Sequence, residues 1–229
     1  MKHLDLFSGI GGFALAARNV GWETTQFVEI DPYCQRVLAK NFPNVPIHSD
    51  IKDFDGQDCD IVSAGFPCQP YSCAGKQLGE KDDRALWPHI VRVLARTRPT
   101  WFIGENVTGF VKLGLDQALS DLEDLSYTTR TFDIPAVSRN APHTRRRIWI
   151  VAHTERGKQP RQEPCNGEAG RVGREQQSLA WDRDWESALR EFRGMDDGLS
   201  YGVDRLDGLR NAIVPQVAEV IFRAIEELK

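Results

Sequence analysis

Short apolar runs and longer amphipathic stretches alternate along the first two thirds of the chain. The run HLDLF (3–7) reads as a strand, and FALAARNV (13–20) as a helix that Gly21 can end. TTQFVEI (24–30) is a second strand. DPYCQRVLAKNF (31–42) is a helix entered through Asp31 as cap and Pro32 in the first turn. VPIHSDI and CDIVSAGF follow as strands three and four. In WPHIVRVLARTR, Trp87, Ile90, Val91 and Leu94 recur at helical spacing on one face. TWFIGENV (strand), LGLDQALSDLEDL (helix), YTTRTFDI (strand) and RRIWIVAH (strand) complete the series.

Repeated β-α alternation predicts a mostly parallel sheet covered by helices on both faces. No helical pattern separates the last two strands, so they are expected to form an antiparallel edge pair. From about residue 154 the texture changes. TERGKQPRQEPCNGEAGRVGREQQS is rich in Gly, Gln, Glu, Arg and Pro and reads as a loop or insertion. LAWDRDWESALREF has anchors for a short helix. VPQVAEVIFRAIEELK is an amphipathic helix whose Val217, Val220, Ile221, Ala224, Ile225 and Leu228 share a face. The expected layout is an α/β domain over 1–153, an insertion over 154–205, and a C-terminal helix over 206–229 that completes the domain.

Composition changes this picture little. The chain has 229 residues, 41% hydrophobic and 27% charged, enough for one good core. No segment approaches a membrane span or a signal peptide. Five cysteines without framework spacing point to free thiols in a reducing cytoplasm, and no His/Cys cluster has metal-ligand spacing. The net charge of −4 argues mildly against a nucleic-acid partner, yet residues 139–175 hold nine Lys/Arg against four Asp/Glu. A basic face on an acidic protein is therefore expected.

The candidate chemistry lies at strand ends. DLFSGIGGF (5–13) sets a glycine-rich turn between the first strand and first helix, where backbone can approach a ligand and helix N–H groups are exposed. It is not G-x-G-x-x-G, since Ala14 takes the sixth position. Glu29 ends the second strand about 20 residues on, as suits ribose hydroxyls, and Asp50 ends the third. Together they outline a nucleoside pocket at the usual place in an open α/β sheet. Cys68, in GFPCQPYSCAGK (65–76), follows the fourth strand between Pro67 and Pro70, which fix φ and restrict the loop. A free cysteine is more often a small buried hydrophobe. Here Glu105 and Asn106 end the next strand on the same edge, and a thiol beside a carboxyl group is a candidate for covalent catalysis. In APHTRRRIWIVA (141–152), Arg145 and Arg147 would point to one face and Arg146 to the other. They read either as charges blunting an edge strand or as guanidinium groups for phosphate and a base carbonyl.

Taken in order, DLFSGIGGF, FVEIDP, SDI, GFPCQPYS with AGKQLGEKDDR, ENV, H-T-R-R-R and RNAIVPQVAEVI resemble the cytosine-5 DNA methyltransferases of bacteria and their phages. The resemblance spans residues 3–151 and roughly 195–225. It implies a Rossmann-like, S-adenosylmethionine-dependent fold. Phe7, Gly9 and Gly11 would line the methionine part of S-adenosyl-L-methionine, Glu29 its ribose, and Asp50 with Ile51 its adenine. Pro67 and Asn211 would complete the cofactor side. Cys68 would attack carbon 6 of an extruded cytosine, Glu105 would hold ring nitrogen 3 and the exocyclic amine, and Arg145 and Arg147 the base carbonyl and the carboxylate. Gln69, Ser72, Arg156, Arg161, Arg171 and Arg174 are the expected contacts to double-stranded DNA. The same resemblance implies a bacterial or phage-encoded cytoplasmic monomer, with a cognate restriction endonuclease as an open partner and no metal.

The sequence departs from the family pattern at His143, where glutamine is usual, and at Arg210, where glycine is usual. The 154–205 segment is also shorter than the usual recognition region. The alternative to an active enzyme is accordingly a degenerate relative that binds DNA or cofactor and turns over poorly. An oxidoreductase on the same sheet is disfavoured by the missing G-x-G-x-x-G, and an RNA methyltransferase would share the same catalytic logic.

Overall fold

The computed structural model describes residues 1–67, 86–135, 146–155 and 213–228. The expected alternation is present. Strands β1 (Lys2–Leu6), β2 (Glu23–Val28), β3 (Ile47–His48), β4 (Ile61–Gly65), β5 (Trp101–Val107), β6 (Thr128–Pro135) and β7 (Arg146–His153) form one sheet in the order β3-β2-β1-β4-β5-β7-β6. The first five are parallel, and β7 runs antiparallel between β5 and β6. The order reverses between β1 and β4, so a crevice opens there at the carboxyl ends of the strands.

Helices cover both faces. Helix α1 (Gly12–Asn19) and the C-terminal α6 (Pro215–Glu227) lie on one face with Ile61, Ile103, Trp149 and Val151. Helices α3 (Trp87–Thr97) and α5 (Leu115–Asp124), with the short α4 (Phe110–Leu113), cover the other with Leu4, Val62, Phe102 and Ile150. Helix α2 (Pro32–Asn41) starts as its sequence predicts, with Asp31 accepting from the Tyr33 and Cys34 N–H groups and Pro32 in the first turn. Local details differ from expectation. Helix α3 fully buries Val93, with Val91 only packed beside the core, because the buried arc is centred on Ile90 and Leu94. The predicted 113–125 helix breaks at Gly114 into α4 and α5. The third strand shortens to two residues, since among the described residues it pairs only with β2, at the sheet edge.

Helix α6 is fixed by a residue the periodicity did not single out. Phe222 is fully buried, stacks on Trp22 at 4.5 Å, and lies against Phe13 and His3. Val220, expected on that face, is only half-buried. The lead-in residue Ile213 reaches the crevice. A Cβ on Gly12 would lie 2.9 Å from the Ile213 carbonyl oxygen, and one on Gly65 would lie 2.8 Å from its Cδ1. These two glycines therefore admit the chain's last segment against the glycine-rich turn and the end of β4. Because the Gly12 contact is with backbone, Gly12→Ala is expected to destabilise the protein by about 1–3 kcal/mol through overpacking. Urea unfolding measures this, and a change under about 0.5 kcal/mol would show that α6 shifts without cost.

Candidate active site

The turn after β1 combines three left-handed backbone positions: Phe7 (φ 55°), Gly9 (φ 53°) and Gly11 (φ 91°). Phe7 is the strained one, because a bulky L-residue rarely adopts this region. The turn is held by Ser8, whose hydroxyl donates to the Asp5 carbonyl at 2.7 Å and whose N–H donates to the Val28 carbonyl at 3.2 Å. Above Gly9 the described residues leave open space, with nothing within 4 Å of a built Cβ. Beside that space stands Glu29, 9% exposed, which accepts from the Gly9 N–H at 2.6 Å and the Asp31 N–H at 2.8 Å. A buried carboxylate thus spans the two strand ends.

Ile30, not among the residues the motifs mark, is 68% exposed immediately after Glu29. An apolar side chain left bare beside a carboxylate and an open turn is a wall for a flat, weakly polar ring. Its signal in sequence was an isoleucine just beyond the acidic strand end. Asp50 lies half-buried and caps its own turn by accepting from the Lys52 N–H at 2.9 Å. Ile51 is buried in the larger core, and its carbonyl accepts from Arg92. An open turn, a carboxylate positioned for hydroxyls and an exposed apolar wall fit an adenosine-bearing cofactor.

Across the reversal point, Gly65 of β4 pairs with Glu105 of β5. Glu105 is 7% exposed, and its Oε1 lies 3.0 Å from Arg147 Nε. The pair is diagonal: Arg147 lies opposite Val107 in the antiparallel ladder, and Glu105 is two residues before Val107 on the same face. Arg147 is steadied by donating from Nη1 to the Arg146 carbonyl at 2.9 Å. Arg146 turns the other way to Asp133, 2.5 Å off, as the strand alternation predicts. Asn106, 3% exposed, holds the Val107 N–H through Oδ1 at 2.8 Å.

Pro67 is exposed just past β4. Cys68, Gln69, Ser72, Arg145, Arg156, Arg161, Arg171, Arg174, His143, Arg210 and Asn211 lie outside the described residues, as does the helix expected near Trp181. The two described cysteines are unsuited to nucleophilic work. Burial pushes the Cys34 thiol up to about 11 and the Cys59 thiol up to about 12. Among the described residues no group of His, Cys, Asp and Glu side chains could hold a metal ion, and no helix is long and apolar enough to cross a membrane.

A buried polar chain runs across three strands. Ser63 of β4 donates to Asp5 Oδ1 at 2.8 Å, His3 Nε2 lies 2.7 Å from the Ser63 hydroxyl, and His3 Nδ1 lies 3.0 Å from the Thr24 hydroxyl. Asp5, His3 and Ser63 are all fully buried. Desolvation raises the Asp5 carboxyl to about 8 and lowers His3 to about 3.

The sheet order and the strand-end site place the chain in the class of α/β methyltransferases. A crystal structure of a DNA modification methyltransferase encoded within an E. coli prophage superposes with a TM-score of 0.58 at 26% identity, covering 71% of this chain and 49% of that one. The S. pombe Dnmt2 methyltransferase shares the fold at a TM-score of 0.57 and 23% identity, over 83% of this chain and 66% of that one. Residues 1–182 match the family model of C-5 cytosine-specific DNA methylases, and the chain belongs to that family. Among its relatives, the Type II methyltransferase M2.BsuMI of Bacillus subtilis is 37% identical over 66% of this chain and 42% of its own length. M.NgoBI of Neisseria gonorrhoeae is 36% identical over 67% and 51%, and M.HhaI of Haemophilus parahaemolyticus 33% over 66% and 48%. The chain spans about half the length of these curated relatives.

Proposed function

We propose that this chain transfers a methyl group from S-adenosyl-L-methionine to carbon 5 of a cytosine extruded from duplex DNA. The observation that carries the reading is the pairing of the buried Glu105 with the half-buried Arg147 at the end of β5, beside the strand that leads into Cys68 and across the crevice from the glycine-rich turn. Phe7, Gly9 and Gly11 hold the methionine end of the cofactor, Glu29 the ribose hydroxyls, and Ile30, Asp50 and Ile51 the adenine, with Pro67 and Asn211 closing the pocket. When bound, the cofactor supplies an electrophilic methyl group on a sulfonium.

Carbon 5 of cytosine is too weak a nucleophile to take that group unaided. The Cys68 thiolate adds to carbon 6, forming a carbon–sulfur bond and pushing the electron pair toward carbon 5, which divides one difficult step into easier ones. Glu105 faces ring nitrogen 3 and the exocyclic amine, where charge develops, and Arg147 fixes the orientation of that carboxyl group. Loss of the carbon 5 proton and elimination of the thiol restore the ring. The base must leave the stack to reach Cys68. Gln69 and Ser72 border the extruded nucleotide, and residues 154–205, with Arg156, Arg161, Arg171 and Arg174, read the duplex as a reduced recognition segment. Arg145 supports the base carbonyl. The enzyme acts as a cytoplasmic monomer, and the Type II names of its relatives make a cognate restriction endonuclease a natural partner.

Trapping tests the reading. Duplex DNA carrying 5-fluorocytosine, incubated with protein and cofactor, is expected to give a covalent adduct that resists denaturation and disappears in Cys68→Ala. Absence of an adduct while cofactor still binds would leave the degenerate binder. Separately, Ile30→Asp is expected to weaken cofactor binding about tenfold or more by placing a charge against the adenine. An unchanged dissociation constant by calorimetry would remove Ile30 from the pocket.

A further inference from the structure

Asp5 is a buried acid whose anionic form is left under-satisfied. As an anion it has one hydrogen bond, from Ser63, while Oδ2 has no hydrogen-bond partner. As a neutral acid it can carry the proton on Oδ1 and donate it to the Ser63 oxygen, whose own proton then turns to His3 Nε2. The groups that bear on it are few. From just past β2 comes the Glu29 carboxylate, which disfavours the anion, and from β2 Thr24 at the far end of the chain; from β4 comes Ser63; from α1 comes the Ala14 N–H, which favours the anion without reaching hydrogen-bond geometry. On β1 itself lies His3, and from α6 only the apolar ring of Phe222 packs over that histidine. No lysine or arginine among the described residues makes a hydrogen bond or ion pair with Asp5. Such an acid is poised to respond to a positive charge nearby, and the glycine-rich turn follows it in the chain, tied back to the Asp5 carbonyl by the Ser8 hydroxyl.

We propose that Asp5 releases a proton when a cationic cofactor occupies the glycine-rich turn, and that the proton leaves through Ser63, His3 and Thr24. The geometry is a continuous path of three hydrogen bonds, from an acid with no exposure to a threonine that is half-exposed. Charge and atoms balance. Asp5 gives its proton to the Ser63 oxygen, the Ser63 proton passes to His3 Nε2, the His3 Nδ1 proton passes to the Thr24 oxygen, and a Thr24 proton goes to water. Every hydrogen bond in the path reverses, and His3 stays neutral while changing from the Nδ1–H to the Nε2–H tautomer. His3 would then report the charge of Asp5. Asp5 is a positioning residue here: it touches no substrate and acts through the turn that follows it.

The proposal rests on the cofactor reading, and calorimetry separates the two. Binding heats at pH 7 in phosphate and in Tris give the number of protons released. S-adenosylmethionine is expected to release close to one proton from the wild type, and S-adenosylhomocysteine, which lacks the sulfonium charge, less than half as many. Asp5→Asn is expected to release almost none with either. Affinity for the cationic ligand should also rise with pH, approaching tenfold per pH unit below about 8. Equal release from the two ligands, or the same release from Asp5→Asn, overturns the proposal; no binding heat at all overturns the cofactor reading and the proposal with it. If Asp5→Asn does not fold, the wild type suffices. Imidazole nitrogen shifts of His3 should switch tautomer on adding S-adenosylmethionine at pH 7, and an unchanged tautomer overturns the proposal.

Discussion

Replacing Glu105 by glutamine is expected to lower the rate of methyl transfer by about 10²–10³-fold while leaving cofactor affinity nearly unchanged. Glutamine matches the shape of the side chain but removes the charge that Arg147 holds in place at 3.0 Å. It can no longer receive a proton and return it as charge builds on the ring, and its amide can present the wrong end to the exocyclic amine. Arg147→Ala should approach the same loss by a different route, because it leaves the Glu105 carboxylate buried without this guanidinium. Arg147→Lys should recover only part of the activity: lysine keeps the charge but not the planar, rigid donor set. Single-turnover methylation, with binding measured separately by calorimetry, checks all three. A fall below tenfold for Glu105→Gln would mean that the carboxyl group does not meet the reacting base.

The second large effect is on stability against pH. Asp5 is raised from its ordinary value to about 8, so the native protein holds a proton that the unfolded chain loses near pH 4. The Asp5 contribution is therefore largest at low pH and is lost as pH rises toward 8. His3 has the opposite sign. Its lowered value, about 3, means that unfolding takes up a proton below pH 6.5, so stability falls as pH drops through that range. His89 and His153 are also lowered, by burial first, and act in the same direction as His3. Between about pH 4 and 6.5 Asp5 and His3 offset each other. From pH 6.5 to 8 Asp5 stands alone among these shifted groups, and ligand-free protein is expected to lose up to about 2 kcal/mol. Urea unfolding at pH 6.5 and 8 measures it. The slope should flatten in Asp5→Asn, and an identical slope there would mean that Asp5 does not carry it.

How much of this could be read in advance follows from which interactions are local. Helix α2 was predictable to the residue at its start, because its cap, its proline and its first-turn N–H groups are sequence neighbours. The antiparallel pair β6–β7 was predictable from a missing helix. The glycine-rich turn and Glu29 were legible as candidates, because a Gly-rich turn followed by an acidic strand end about 20 residues on is a pattern along one chain. The sequence also singled out Glu105 and Arg147 as candidates, and the family resemblance implied that the arginine supports the carboxylate.

The geometry of their pairing was decided in three dimensions. It depends on β7 inserting between β5 and β6 and on a register that sets Arg147 against Val107. The same holds for Gly12 and Gly65, whose lack of a side chain is explained only by Ile213, far along the chain. It holds for the path from Thr24 to Asp5, which needs β2, β1 and β4 to be neighbours with one face in common. Periodicity records which side of an element is apolar, since that is a property of consecutive residues. It carries no record of which distant element will cover that side, because hydrophobic burial is non-directional. The sequence by itself therefore determined the strands, the helices and the acids and arginine at their ends. Tertiary structure decided which of those groups meet, and left an under-satisfied acid in the strand that leads into the turn where the cofactor is proposed to bind.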